Sequence, residues 1–217
     1  MRVEVVSAWN RIFWGVAAAA VLLPASFLHA ALPTQSETPD TAVWLTGKLL
    51  IASPQMRDPP FDHAVILLAQ HSRGGALGLV INRPLDQRPR PVAGLLAAFG
   101  ADASGVTESV RVFVGGPVNP NAGFVLHSAE YHLADTLDID GRVALTAAVD
   151  ILRDIGIGKG PSKSLLAFGY AGWAPAQLEN EMAHGVWMTV PEDPALVFDD
   201  DRANVWTDAL ARSKPGR

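Results

Sequence analysis

The chain reads as an α+β protein of one domain, on three observations. Two apolar runs, Ala64–Ala69 and Ala76–Ile81, flank His-Ser-Arg-Gly-Gly, and paired glycines between such runs signal a hairpin. Their hydrophobicity is continuous rather than alternating, as in strands covered on both faces. Helical spacing occurs only in isolated stretches that do not alternate regularly with strands, which excludes a doubly wound α/β pattern. From Trp44 onward no second linker breaks the sequence, so the domain is placed at residues 43–212 and the last residues, 213–217, form a tail.

In chain order, Leu49–Ala52 is a short strand ended by Ser53-Pro54, where proline removes a ladder donor. The hairpin strands follow. Pro91 starts a helix over Val92–Phe99, with Leu95, Leu96 and Phe99 on one side and Gly100 as its stop. Arg111–Val114 and Gly123–His127 are expected to pair around Gly115-Gly116-Pro117. Thr146 is expected to cap a helix through Ile155, because its hydroxyl can accept an orphan amide of the first turn. Ala148, Ile151, Leu152 and Ile155 lie at helical spacing, and Gly156 ends the run. Ser164–Ala171 is a strand. Pro175 opens a helix over Ala176–His184, where a missing amide proton costs little, and Gly185 closes it. Trp187–Val190 is a short strand. Asp199–Asp201 precede a final helix, about Arg202–Ala211, at the end where carboxylates are favoured.

The amino end has the layout of a secretory signal. Arg2 and Arg11 flank a polar start, Ile12–Leu23 is apolar and uncharged, and Ala25–Ala31 offers small residues for cleavage after Ala30 or Ala31. Two alternatives stand beside this. Ile12–Leu32 is long enough for an uncleaved membrane anchor, where roughly 20 residues suffice, although Pro24 and His29 interrupt it. The stretch could equally be an upstream extension of a cytoplasmic protein. Residues 32–42 are polar and unpatterned, a tether. Without residues 1–31 the body carries 15 basic and 21 acidic side chains, near −6. Such a body exerts no general pull on nucleic acid, which is bound through clustered Lys and Arg. The dense basic cluster Arg83, Arg88 and Arg90 reads as a solvated, proline-rich loop. Cysteine is absent, which excludes disulfides and thiolate chemistry.

The motif with the best geometry for binding is the strand–turn–helix Gly-Tyr-Ala-Gly-Trp-Ala-Pro-Ala-Gln-Leu-Glu. Free amides at a helix start can take an anion, making Tyr170, Gly172, Trp173 and Gln177 candidates for a ligand or partner site. Arg83 joins them, since its planar fork could hold a carboxylate or phosphate. The competing structural reading is that Tyr170 and Trp173 pack, the glycines allow a tight turn, and Arg83 braces a strand end. Glu179 and Glu181 are two apart, so they do not face one another as an acid/base couple. Gly115-Gly116-Pro117 lacks the phosphate-loop pattern and leads into a strand. The histidines outside the leader, His63, His71, His127, His132 and His184, show no metal-ligand spacing. No serine lies in a nucleophile elbow. No catalytic residue and no metal ligand is assigned.

The ordered set Pro59–Phe61, Gly78–Pro84, Gly115–Val118, Gly123–His127, Thr146 with Asp150 and Leu152, and Gly169–Trp173 with Gln177, Leu178 and Glu181 resembles the AlgH/YqgE family from about Leu45 to Leu210. That resemblance implies a split, mostly buried sheet curled into a pseudo-barrel with helices outside, no known cofactor and no established catalytic residue. Ala174 and Ala176 depart from the glycine-richer turn (Gly-Trp-Gly-Pro-Gly) common in relatives. The family's label, a transcriptional regulator, conflicts with an exported chain, since a protein beyond the inner membrane cannot touch a promoter.

Three functional expectations follow. The first is a non-enzymatic regulatory or binding domain acting through a protein partner, in contact with a membrane only if the leader is retained. The second is a small-anion binder or enzyme using the Gly172–Gln177 helix start. The third is a cytoplasmic transcriptional regulator.

Overall fold

The computed structural model describes residues 44–147 and 149–213. The leader, the tether before Trp44, and the tail beyond Ser213 lie outside them. Among the described residues, no helix is long and apolar enough to cross a membrane.

The architecture is α+β, with a curled half-barrel sheet. In chain order come β1 (Lys48–Ala52), β2 (Val65–Ser72), β3 (Gly75–Val80), β4 (Arg90–Pro91), α1 (Val92–Ala98), β5 (Ser109–Val110), β6 (Val112–Val114) and β7 (Val118–Ser128). Then follow β8 (Thr136–Asp138), β9 (Val143–Thr146), α2 (Asp150–Gly156), β10 (Ser164–Trp173), α3 (Gln177–Ala183), β11 (Trp187–Pro191), α4 (Pro194–Val197) and α5 (Val205–Ser213). The main sheet runs β11-β1-β2-β3-β10-β7-β9-β8, with β6 also paired to β10, while β4 and β5 form a separate pair.

Strand β10 joins the two halves of the sheet. Its first part pairs antiparallel with β7 and parallel with β6, and its last three residues pair with β3. The register with β7 shifts between Phe168 and Tyr170, at Gly169, whose φ is +73°. A Cβ on Gly169 would strike the Gly116 carbonyl oxygen, and one on Gly115 would strike that of Gly169. The Gly-Gly-Pro turn after β6 therefore interlocks with the β10 bulge, backbone against backbone, a closeness that glycine alone permits.

The hairpin expected from the paired glycines is β2–β3, with Ser72 opposite Gly75. Burial on both strand faces is also present: Leu49, Leu50 and Ile51 are consecutive and each 0% exposed. Their apolar surface contributes in proportion to area removed from water. One core cluster joins Leu50, Ile66, Leu68 and Val80 to Trp173, Leu178 and Trp187; another lies under α1 and α2, around Val92, Leu96, Ile151, Leu152 and Leu166.

Several elements differ from expectation. Residues 111–114 and 123–127 do not pair with each other but flank β10 on opposite sides, because the same three residues, Leu166–Phe168, offer one edge to each. Thr146 is not a helix cap: it ends β9, and its hydroxyl bonds to His127 and Thr136. Helix α2 starts later, after Val149, with no side-chain cap. Pro175 precedes α3, and Ala176 stands at the N-cap in the left-handed region. Residues 202–204 lie before α5, and β8, β9 and α4 had no strong sequence pattern.

Candidate functional site

The strand–turn–helix singled out in the sequence is the region where β10, β3, α3 and β11 meet. Trp173, paired with Ala76 of β3, is 7% exposed and stands edge-on to Trp187, ring centroids 6.0 Å apart. Both indoles donate to Oε2 of Glu181, from Trp173 at 2.9 Å and from Trp187 at 2.7 Å. Gln177 completes the arrangement: its Nε2 donates to Glu181 Oε1 at 2.8 Å, and its Oε1 accepts from the Ala174 amide at 3.0 Å. Charge-assisted bonds of this kind are roughly twice as strong as neutral ones, so Glu181 acts as a hub tying α3 to the ends of β10 and β11.

Glu179 turns elsewhere, as its two-residue separation from Glu181 requires. Its Oε1 lies 2.9 Å from Nε2 of His71, whose side chain is 2% exposed. Nδ1 of His71 accepts the Leu45 amide at 3.1 Å, which places the neutral ring's proton on Nε2, donated to Glu179. Trp44 packs edge-on against the same imidazole. The helix thus anchors by one carboxylate to β2 and by the other to β10 and β11.

The five predicted residues do not all converge. Trp173 and Gln177 share the Glu181 hub. Tyr170 instead packs edge-on against Phe124, with ring centroids 6.1 Å apart, and a Cβ on Gly172 would sit 3.3 Å from the Tyr170 ring. Arg83 follows the far end of β3, roughly 20 Å away at strand rise. It donates to the carbonyls of Pro60 (2.6 Å), Asp62 (2.8 Å) and Pro59 (3.4 Å), bracing the loop before β2.

A second polar network was not visible in the sequence. His127 is 0% exposed; its Nδ1 donates to the Ser128 carbonyl at 3.0 Å, so Nε2 accepts from Thr146 Oγ1 at 2.9 Å. Thr136 Oγ1 stands 2.7 Å from Thr146 Oγ1 and takes the Leu133 amide at 2.9 Å. Burial holds the His127 pKa below the ordinary histidine range, outweighing the Ser128 carbonyl. The hydroxyl–imidazole contact has nucleophile–base geometry, but both side chains are sealed from solvent.

Among the described residues no group of three or more His, Asp or Glu could hold a metal. An open cleft of about 350 Å³ lies between α1 and α2, lined by Leu96, Ala101, Asp102, Val149, Asp150 and Arg153. It includes none of the five predicted residues.

The sequence model of the AlgH-like family matches residues 49–215. The chain belongs to the AlgH-like family. A UPF0301 protein of Jannaschia sp. strain CCS1 is 47% identical over 174 residues, covering 79% of this chain and 90% of the relative. A UPF0301 protein of Rhodospirillum rubrum is 43% identical over 169 residues, covering 78% and 87%. Among solved structures, the AlgH protein of Pseudomonas aeruginosa superposes with a TM-score of 0.66 at 35% identity, over 87% of this chain and 94% of that one. A Corynebacterium diphtheriae protein, DIP2367, shares the fold with a TM-score of 0.61 at 23% identity, over 79% and 87%. The molecular function of this AlgH-like family is unknown, so the functional reading rests on the geometry.

Proposed function

We propose that this AlgH-like chain is a non-enzymatic regulatory or binding domain that acts through a protein partner outside the cytoplasm. The carrying observation is a division of labour among side chains. The polar groups of the family-marking blocks (Arg83, Gln177, Glu181, His127 and the indole of Trp173) are committed to partners within the fold. Large apolar side chains are instead offered to solvent: Leu85 and Phe99, each 45% exposed, and Val118 at 39%. Exposed apolar surface is what a protein partner can bury. Phe99 stacks on Phe168, ring centroids 6.4 Å apart. The placement outside the cytoplasm rests on the signal-like layout of residues 1–31.

The small-anion alternative loses support from Gln177, whose side chain occupies the Ala174 amide. Direct DNA binding is disfavoured by the acidic body.

A photo-reactive residue at position 99 of the full chain, irradiated in the parent cells and followed by fractionation, tests this. The expected result is one discrete adduct in the periplasmic fraction. An adduct in the cytoplasmic fraction overturns the export reading alone, and no reproducible adduct there or at positions 85 and 118 overturns the partner reading.

A further inference from the structure

The margins of the main sheet are β11 and β8, and where the turn after β8 meets the end of β11 two carboxyl groups stand close together, one of them buried. Glu192, immediately after β11, is 3% exposed. Asp140 and Arg142 belong to the tight turn between β8 and β9. Nη2 of Arg142 donates to the Glu192 backbone carbonyl at 3.1 Å and approaches Glu192 Oε2 to 2.6 Å. That approach is an ionic contact rather than a directed bond: neither carboxyl oxygen of Glu192 accepts a hydrogen bond. Asp140 is better served, its Oδ1 taking the amides of Arg142 at 3.0 Å and Val143 at 3.1 Å. Its Cβ lies against Gly47, just before β1, where an added Cβ would come within 3.2 Å.

The two carboxyl groups share one nitrogen, Arg142 Nη2, which lies 3.2 Å from Asp140 Oδ2 and 2.6 Å from Glu192 Oε2. A buried carboxylate so close to another, accepting no directed hydrogen bond, is costly, and one proton on Glu192 relieves both faults. Protonated Glu192 becomes a donor to Asp140. We propose that Glu192, Asp140 and Arg142 form a proton-operated clasp that holds the β8–β9 turn against the end of β11 while Glu192 carries its proton, and loosens when it is lost.

The electrostatics agree with the geometry. Burial first, then the hydrogen bond to Asp140 and its charge, push the Glu192 carboxyl up to about 8, against the pull of Arg142. Burial opposes, but the Glu192 proton and the amides of Arg142 and Val143 hold Asp140 below its ordinary value. The other charged neighbours are Asp193 on the same segment, which is paired to Arg212 of α5, and Lys48, which stands opposite Pro191 at the start of β1. A carboxyl raised in the fold stabilises it fully below the ordinary glutamate range; that contribution is lost as pH rises to about 8. Asp140 acts in the opposite sense at acid pH. The clasp is therefore closed at neutral pH and opens on the alkaline side.

The test is a carboxyl NMR titration of the full chain together with amide exchange in the parent and in Glu192→Gln, an isostere that donates without titrating. The expected midpoint for Glu192 is near 8. Between pH 7 and 9 the amides of Ile139 and Val143 should accelerate at least threefold beyond the intrinsic pH effect shown by Leu67, and Glu192→Gln should abolish the excess. A midpoint below about 5.5, turn amides that track Leu67, or an excess that persists in Glu192→Gln would overturn the clasp. The parent's titration decides the matter even if the variant does not fold.

Discussion

Ala176 is the residue at which local conformation and sequence disagree. Its φ of +62° lies in the left-handed region, which costs a residue bearing a Cβ roughly 1–2 kcal/mol. Ala176→Gly is expected to raise stability by about 0.5–1 kcal/mol, the relief of strain exceeding the added entropy of the unfolded chain. A urea melt that is unchanged or shifted downward would contradict this. Sequence reasoning reached Trp173 and Gln177, because glycine, proline and aromatic residues crowd that turn. It did not reach their hub, since nothing local shows that Glu181 receives an indole from β11 as well as one from β10. Nor could it join His71 to Glu179, 108 positions apart.

At the scale of elements, the interlock of Gly115, Gly116 and Gly169 fixes the seam between the two halves of the sheet. Gly169→Ala would place a side chain at φ +73° and drive its Cβ into the Gly116 carbonyl. Backbone cannot yield there as a flexible side chain would, so a loss of about 2–4 kcal/mol is expected, read as a lower denaturation midpoint. A loss under 0.5 kcal/mol would show that the bulge adapts. Strands dense in Val, Ile and Leu, such as β1 and β2, were legible because burial on both faces writes itself into composition. Strands β8 and β9 were not: Thr136–Asp138 is short, and Thr146 belongs to a strand although threonine there has the chemistry of a helix cap. Pairing partners are a tertiary property, which is why β6 was assigned to β7 rather than to β10.

At the scale of the molecule, the α+β class was legible from the irregular order of strand and helix patterns, whereas the curl of the sheet came only through family resemblance. The charge balance weighs against direct contact with DNA, and the polar side chains of the family-marking blocks are hydrogen-bonded within the fold. The claim that these blocks are architectural is tested most directly by equilibrium urea unfolding of Trp173→Phe. That change keeps a ring in the core but removes the donor to Glu181 Oε2, and it is expected to cost about 1–3 kcal/mol for the weakened hub and lost volume. A variant that unfolds at the same urea concentration as the parent would contradict the account.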